Sequence, residues 1–330
     1  SVPPAPASVE LPLDDYGRAL ISYSGTGTVS WDDGSSNALT FNAAQFADGR
    51  IVVLGHYAND DVVSWFGGSH NSEPTGFTGV TSEGWAVTSE GNVRSTNYLP
   101  KTSIEGSYAA LRLNQLECLR GTTLEVTDHR FGLVNFDFEG TVSVTIARPS
   151  GTHYTHGLPV SLTVGDRTIT GAIVAVEDAD HLHRRVMTHK SAEVLAELVV
   201  PKTDGIDGAE LVGAVRDLCV ALSVMRGTKV VWVYRHDFSG NQIVHTTHRS
   251  SNVKAYSPWA PLRGDYDNRA ASVAFVHGGA AALSTSDVLK ADRSVVDAYL
   301  DAKVEHDFLE TRAGKLALAI EKLKHTFLRS

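Results

Sequence analysis

Short apolar stretches separated by Gly, Asp, Asn and Ser dominate the first 200 residues of the chain. Within residues 141–147, apolar side chains alternate with small or polar ones, which is the period of a half-buried β-strand. The Asp-Asp-Gly sequence at 32–34 and the Asp-Gly sequence at 48–49 are typical of hairpin turns. Short strands with frequent turns predict an antiparallel, sandwich-like region.

The pattern changes at about residue 203, where a helical period replaces the alternation. Asp207 and Glu210 have the spacing of a capping box, which predicts that a helix begins there. Gly227 stands where a helix C-cap glycine belongs. The apolar run 229–234 then predicts a buried strand, and the turn at 238–242 returns the chain into a second strand. One face of the predicted helix carries Leu211, Val215, Leu218, Leu222 and Met225.

The C-terminal part divides into a less periodic stretch up to residue 284 and a helical pattern from 285 to 330. The helical pattern runs to the last residue without a Gly or Pro stop signal. The chain begins with a Pro-rich, uncharged sequence that lacks the pattern of an intact signal peptide. We therefore expect the chain to be a fragment of a longer polypeptide.

These patterns together predict an α+β fold with three parts. Residues 8–200 are predicted to form a β-rich, sandwich-like domain. Residues 203–260 add a helix and a β-hairpin, which we expect to pack on that domain. Residues 285–330 are the start of a helical domain that could be truncated.

Composition and charge exclude several classes of protein. The chain has 330 residues, of which 42% are hydrophobic and 20% charged, as is ordinary for a globular protein. Its 29 basic and 38 acidic residues give a formal charge of -9, which argues against a dedicated nucleic-acid-binding protein because such proteins need a basic surface. No stretch of sequence approaches the roughly 18 apolar residues that span a bilayer. We expect a cytoplasmic protein that does not enter a membrane.

Histidine is abundant, and one local cluster has metal-ligand character. His181 and His183 stand two positions apart, beside Asp178 and other acidic residues. If this segment were a strand, both imidazoles would lie on one face, as metal sites on sheets require. The sequence therefore leaves open a zinc site at His181, His183 and Asp178, which a distant histidine such as His245 or His248 would complete. The alternative interpretation is a solvated polar loop, in which case the chain has no cofactor.

The sequence gives less support for a catalytic nucleophile, a phosphate-binding loop or a glycan-binding surface. Cys118 and Cys219 are too far apart for a CxxC motif, and Cys219 lies near the apolar face of the predicted helix, where a free cysteine is usually a small buried side chain. The sequence contains neither a Gly-x-Ser-x-Gly elbow nor a phosphate-binding loop. Trp65 and Trp85 lie among Gly, Ser and Thr, a composition that suits a glycan-binding surface, although both indoles could equally be core residues.

Four segments carry a resemblance to a protein family: 218–223 (Leu-Cys-Val-Ala-Leu-Ser), 227–232 (Gly-Thr-Lys-Val-Val-Trp), 308–312 (Phe-Leu-Glu-Thr-Arg) and 319–323 (Ala-Ile-Glu-Lys-Leu). With the β-rich region before them, they resemble microbial proteins that place a β-rich sensing domain before a HEPN-type helical domain, of which ApeA-type defence proteins are an example. The resemblance implies an intracellular defence effector.

HEPN ribonucleases use an Arg and a His with four to six residues between them. This spacing occurs here at Arg50/His56, Arg148/His153 and Arg184/His189, all of which fall in the β-rich region rather than in the C-terminal helices. Chance produces a few such pairs in a chain with this many arginines and histidines. None is therefore carried over as catalytic, and the catalytic residues stay unknown.

The leading hypothesis is a non-enzymatic recognition or sensing region of a larger intracellular protein. Its expected partner is another protein or a missing C-terminal domain, and the C-terminal helices could also form a homodimer. The first alternative is a metal-dependent enzyme centred on His181 and His183. The second is a glycan-binding β-sandwich that uses Trp65 and Trp85.

Overall fold

The computed structural model describes residues 18–57, 73–91, 93–99, 107–121, 124–137, 142–189, 192–251, 253 and 269–285, with single helical positions between 296 and 324. The chain divides into two compact units. Unit 1 comprises residues 1–123 and 245–252, and unit 2 comprises residues 124–244 and 253–330. Trp65 lies outside the described residues.

Unit 1 is built from an antiparallel sheet. The strand order is β15-β8-β5-β4-β1-β2-β3-β7-β6. Strand β15, the last along the chain, therefore pairs with β8, and β8 pairs with β5 on its other side. The strands are β1 (Ala19–Trp31), β2 (Ser36–Phe46), β3 (Ile51–Tyr57), β4 (Pro74–Thr81), β5 (Trp85–Glu90), β6 (Val93–Leu99), β7 (Ser107–Leu113), β8 (Gln115–Arg120) and β15 (Gln242–Arg249), the last of which begins in unit 2.

The core of unit 1 depends on glycines that let β1 and β4 approach closely. Gly27 on β1 lies directly opposite Gly79 on β4. A Cβ atom on Gly79 would come 2.8 Å from the carbonyl oxygen of Thr26 and 2.9 Å from the ring of Phe41. The space that these glycines leave is filled by Phe41 and Phe77, whose rings meet edge to face.

Unit 2 contains antiparallel strands with helices packed on them. Its strand order is β10-β11-β12-β13-β9-β14. The strands are β9 (Asp128–Val134), β10 (Val142–Arg148), β11 (Gly151–Val164), β12 (Arg167–Ala175), β13 (Val194–Pro201) and β14 (Val231–Ser239), and the helices are α1 (Ala179–His189), α2 (Gly208–Arg226) and α3 (Arg269–Thr285).

Helix α2 forms as the sequence predicts. Asp207 is its N-cap, with a side-chain oxygen that accepts a hydrogen bond from the backbone NH of Ala209, and Gly227 is the left-handed C-cap with φ of 64°. Its apolar face contributes Leu218 and Leu222 to a core that it shares with the sheet and with α3. The buried strand and the hairpin after it are also confirmed, as β14 and β15.

Helix α3 is a correction to the sequence analysis, which assigned no element to residues 261–284. Residues 269–285 are helical, and Val276, Ala280 and Leu283 face the core of unit 2. These side chains recur at the helical spacing of four and three residues. Two of the positions between them are glycines, Gly278 and Gly279, whose low helix propensity hides the pattern.

The predicted α+β class with a β-rich, sandwich-like body is confirmed. No helix among the described residues is long and apolar enough to cross a membrane. The domain boundaries drawn from the sequence stay predictions.

Candidate functional site

Strand β11 has 14 residues, against seven in β10 and nine in β12, and its two halves pair with different strands. Residues 157–164 pair with β12, whereas residues 151–157 pair with β10. Strands β10 and the first half of β11 therefore make a two-stranded ribbon beyond the edge of β12, which we call the β10–β11 ribbon (residues 142–157). Its register is continuous from the Arg148–Gly151 pair to the Val142–Gly157 pair.

One face of the ribbon points outward, and a tyrosine stands at its centre. Tyr154 is 85% exposed and lies directly opposite Thr145. Thr152 and His156 flank it on β11, and Ser143 lies on β10 opposite His156. All of these side chains are exposed. The outward face therefore combines a large aromatic ring with hydroxyl and imidazole groups, and it carries no acid, lysine or arginine.

The opposite face of the ribbon is tied to the sheet of unit 2. Ile146 is buried, and Gly157 lies against the side chain of Val144. Arg148 donates a hydrogen bond to the carbonyl oxygen of Ala175 at 2.9 Å, and its guanidinium lies 3.5 Å from Glu197. These contacts direct the one charged side chain of the ribbon inward, away from the outward face.

A second polar cluster joins β9 to β14. Nδ1 of His129 lies 2.7 Å from Oδ1 of Asp237, and Arg235 donates to both oxygens of the same carboxylate, at 2.7 and 3.1 Å. A carboxylate on Nδ1 fixes an imidazole as it does in a general base. Within the described chain, however, no hydroxyl or thiol bonds to the other ring nitrogen of His129. The charged groups of this cluster pair with one another, and these bonds join β9 to β14.

The other side of the same two strands carries a stacked series of side chains. The guanidinium of Arg130 lies 3.7 Å from the centroid of the Phe238 ring, and Nε of Arg130 donates to Asp128 at 2.7 Å. Next along β14, the His236 ring stacks on Tyr234 with centroids 4.3 Å apart. Burial, together with the charge of Arg130, lowers the pKa of His236 to about 4.

Tyr234 completes this series. Its ring covers Gly132, where a Cβ atom would collide with ring atoms. Its hydroxyl donates to Oε1 of Glu197 at 3.0 Å, and burial is the main cause that raises the pKa of this hydroxyl well above its ordinary value. The stacked rings of Tyr234 and His236 thus lie between two charge pairs, Arg130 with Asp128 and Arg148 with Glu197. This arrangement stabilises the sheet.

Unit 1 contains a buried hydrogen-bond chain. Gln45 donates from Nε2 to the carbonyl oxygen of Arg249 at 3.2 Å, which makes its Oε1 the acceptor for Nδ1–H of His248 at 2.7 Å. Nε2 of His248 then accepts from the hydroxyl of Tyr23 at 2.8 Å. Both ring nitrogens of His248 are therefore used within the protein.

Cys118 adjoins this chain but lacks the character of a nucleophile. The residue is fully buried, and burial raises the pKa of its thiol to about 12. Tyr23 lies beside it, and burial also raises the pKa of the Tyr23 hydroxyl. Cys219 is buried in the core of unit 2, as the sequence predicts.

The residues proposed as metal ligands lie on and before helix α1. His181 and His183 are two positions apart on this helix rather than on a strand, so their side chains point to different sides. Nδ1 of His183 lies 3.2 Å from Asp137, whereas His181 and Asp178 are exposed. In the described part of the chain, no three His, Cys, Asp or Glu side chains lie close enough to hold a metal ion. The zinc site stays a prediction that this geometry does not favour.

The two tryptophans proposed to bind glycans have different outcomes. Trp85 is half-buried against the core of unit 1, and the guanidinium of Arg120 lies 5.8 Å from its ring. Trp65 lies outside the described residues, so the two-indole surface is untested.

Sequence reasoning missed both the ribbon face and the β9–β14 clusters. A repeat of Thr, Tyr and His at 152, 154 and 156 marks the ribbon face, since alternate positions of a strand share a face. The Asp-His-Arg sequence at 128–130 and the Arg-His-Asp sequence at 235–237 could have indicated a charged strand pair. Their pairing, however, becomes visible only from the fold.

Comparison with known proteins gave no match to any family model, curated protein or solved structure. The resemblance to proteins with a HEPN-type domain therefore stays a prediction from the sequence.

Proposed function

We propose that this chain is a non-enzymatic recognition region of a larger intracellular protein, and that it binds a protein partner through the outward face of the β10–β11 ribbon. The observation that carries the proposal is the 85% exposure of Tyr154 at the centre of that face. Tyrosine offers a large, stiff contact area together with a hydrogen-bonding hydroxyl, and it is enriched in protein interfaces for this reason.

The chemistry of the face favours a protein over a polyanion. Residues 142–157 include one arginine and no lysine, and Arg148 is held at Glu197. The whole chain has a formal charge of -9, which argues against a dedicated nucleic-acid-binding role. Ser143, Thr145 and Thr152 supply uncharged hydrogen-bonding groups around the aromatic ring, as the side chains of antibody paratopes do.

The other polar clusters support a binding role over catalysis. His129, Asp237 and Arg235 are bonded to one another, and His248 is bonded on both nitrogens. The thiol of Cys118 is buried and has a raised pKa. Among the described residues, each of these groups is used to stabilise the fold, whereas the ribbon face presents its groups to solvent.

The biological setting comes from the resemblance to microbial proteins with a HEPN-type domain. In such proteins a β-rich region senses a signal, and a helical domain responds to it. We place this chain in that class as a sensing region of a defence effector. The trigger that it recognises would then be a protein that appears on infection.

The experiment is site-specific photo-cross-linking in the full-length protein that contains this chain, followed by reconstitution. A benzophenone amino acid replaces Tyr154 in one strain and Phe275 in another. Phe275 is an exposed aromatic residue on α3, 42% accessible, and is the matched control. The protein that cross-links only at position 154 is then purified, and its Kd for the chain is measured by isothermal titration calorimetry.

We expect Tyr154→Ala to raise this Kd by tenfold or more, on the order of the loss of an interface hot spot. Phe275→Ala should leave the Kd within about twofold. Equal cross-linking at the two positions, or a Kd that Tyr154→Ala leaves unchanged, would show that the ribbon face is not the recognition surface.

A further inference from the structure

In the part of the chain that the structure describes, strand β10 is an edge strand. It is the terminal strand in the sheet order, and among the described strands it pairs with β11 alone. Its seven residues keep one continuous register with β11, without a bulge. A regular edge strand has a row of backbone NH and CO groups that can pair with another strand.

Most of the sequence features that protect such an edge are missing from β10. Its sequence, Val-Ser-Val-Thr-Ile-Ala-Arg, contains neither proline nor lysine and is rich in β-branched residues. The single charge, Arg148, stands at the end of the strand and is directed to Glu197 and to the carbonyl of Ala175. Among the described residues, the outer edge of β10 is thus unpaired, and it carries no charge before Arg148 at its end.

The distribution of charge along the chain indicates which partner the β10 edge could pair with. Two copies of a chain with a formal charge of -9 repel each other over most of their surface. The ribbon is an exception, because residues 142–157 contain no acidic residue. A two-fold axis through Thr145 also makes the strand self-complementary, since it sets Ser143 opposite Ala147 and Val144 opposite Ile146.

We infer that β10 pairs antiparallel with β10 of a second copy of this chain and forms a homodimer. The pairing joins the two unit 2 sheets edge to edge. It brings the two Thr145 residues together, with Cβ atoms about 5 Å apart, as for directly opposed residues in antiparallel strands. The two Tyr154 residues then lie three strand spacings apart, about 14 Å, on one continuous face.

This inference concerns the edge of the ribbon, whereas the proposed function concerns its outward face. The dimer would present two copies of the Tyr154 face side by side, so a repetitive partner would bind with avidity. The dimer and the recognition surface can be tested independently, because dimerisation is measured on this chain alone, without the partner protein.

The test is sedimentation velocity of the chain over about 1 to 200 µM, a range that suits a small interface. Three variants are compared with the wild type: Thr145→Lys, Thr145→Asp and Thr152→Lys. Thr145 and Thr152 are both exposed on the same face, but Thr152 lies on β11, one strand away from the edge. Circular dichroism checks that each variant is folded.

We expect a wild-type dimer, and a Kd raised by at least about tenfold in Thr145→Lys and in Thr145→Asp, because like charges would be directly opposed. An equimolar mixture of these two variants should restore dimers, and Thr152→Lys should behave as the wild type. A monomeric wild type at every concentration overturns the inference. So does a dimer that Thr145→Lys leaves intact, which would point to another interface, such as the C-terminal helices.

Discussion

Nδ1 of His248 lies 2.7 Å from Oε1 of Gln45, although 203 positions separate the two residues along the chain. His248 is fully buried, and Gln45 is 2% exposed. The contact joins the last strand of unit 1 to its second strand, and it is one step of the chain that runs from Tyr23 to the carbonyl of Arg249. A buried polar chain of this kind is stabilising only while all of its members are paired.

His248→Ala should therefore destabilise unit 1. The substitution removes the donor to Oε1 of Gln45 and the acceptor of the Tyr23 hydroxyl in a buried site, and we expect a loss of about 3 kcal/mol in the free energy of unfolding. Urea denaturation followed by far-UV circular dichroism measures it. His181→Ala, at an exposed position on α1, is the control and should change stability by less than about 0.5 kcal/mol. Equal losses in the two variants would contradict the role given to the buried chain.

Gly79→Ala should destabilise unit 1 by about 2 kcal/mol or more, since the new methyl group meets the backbone oxygen of Thr26 and the ring of Phe41. The Thr26 oxygen cannot move without disturbing the β1–β4 pairing, and the Phe41 ring packs against Phe77. Gly121→Ala is the matched control, because no atom lies within 4 Å of a Cβ atom added there. Thermal unfolding compares the two variants. A wild-type melting temperature for Gly79→Ala would mean that β1 and β4 lie further apart than described.

Unit 2 should lose stability as the pH falls below about 6.5, and His236 is one cause. Its pKa in the folded protein is about 4, below the ordinary 6.5 of the unfolded chain. Between these values the unfolded state binds the proton and the folded state does not, so stability falls with pH and levels off below 4. Between pH 7 and pH 5 the expected contribution is about 2 kcal/mol.

Guanidinium denaturation at pH 7 and pH 5, monitored by tryptophan fluorescence, tests this contribution. His236→Gln should lose less stability than the wild type over the same interval, by about 2 kcal/mol, because glutamine does not titrate. The His236 account fails if both proteins lose the same amount between the two pH values.

Individual helices and strands could be predicted from the sequence, because the residues that determine each of them lie close together along the chain. The N-cap Asp207, the C-cap Gly227 and the apolar face between them are enough to define α2. The alternation at 141–147 likewise predicted a half-buried strand, which is β10. Helix α3 was missed because its buried face consists of widely spaced, partly small side chains.

The candidate sites depend on pairings that the sequence does not reveal. His129 and Asp237 are 108 positions apart, and only the β9–β14 register brings them together. For the His181–His183 pair, the assumed local structure was wrong, and the metal site itself stays a prediction. The predicted metal site assumed a strand, whereas the segment forms a helix on which these positions diverge. The exposure of a side chain cannot be predicted from the sequence pattern either, since Tyr154 on β11 is exposed whereas Tyr234 on β14 is partly buried.

The proposed defence function makes phage resistance the most direct test of the recognition surface, in bacteria that express the larger protein to which the proposal assigns this chain. Efficiency of plating is measured across a phage panel for the wild type, Tyr154→Ala and Phe275→Ala at equal expression. The proposal predicts protection by the wild type and by Phe275→Ala, and at least a tenfold loss of protection in Tyr154→Ala. Full protection by Tyr154→Ala, or none by the wild type, would contradict it.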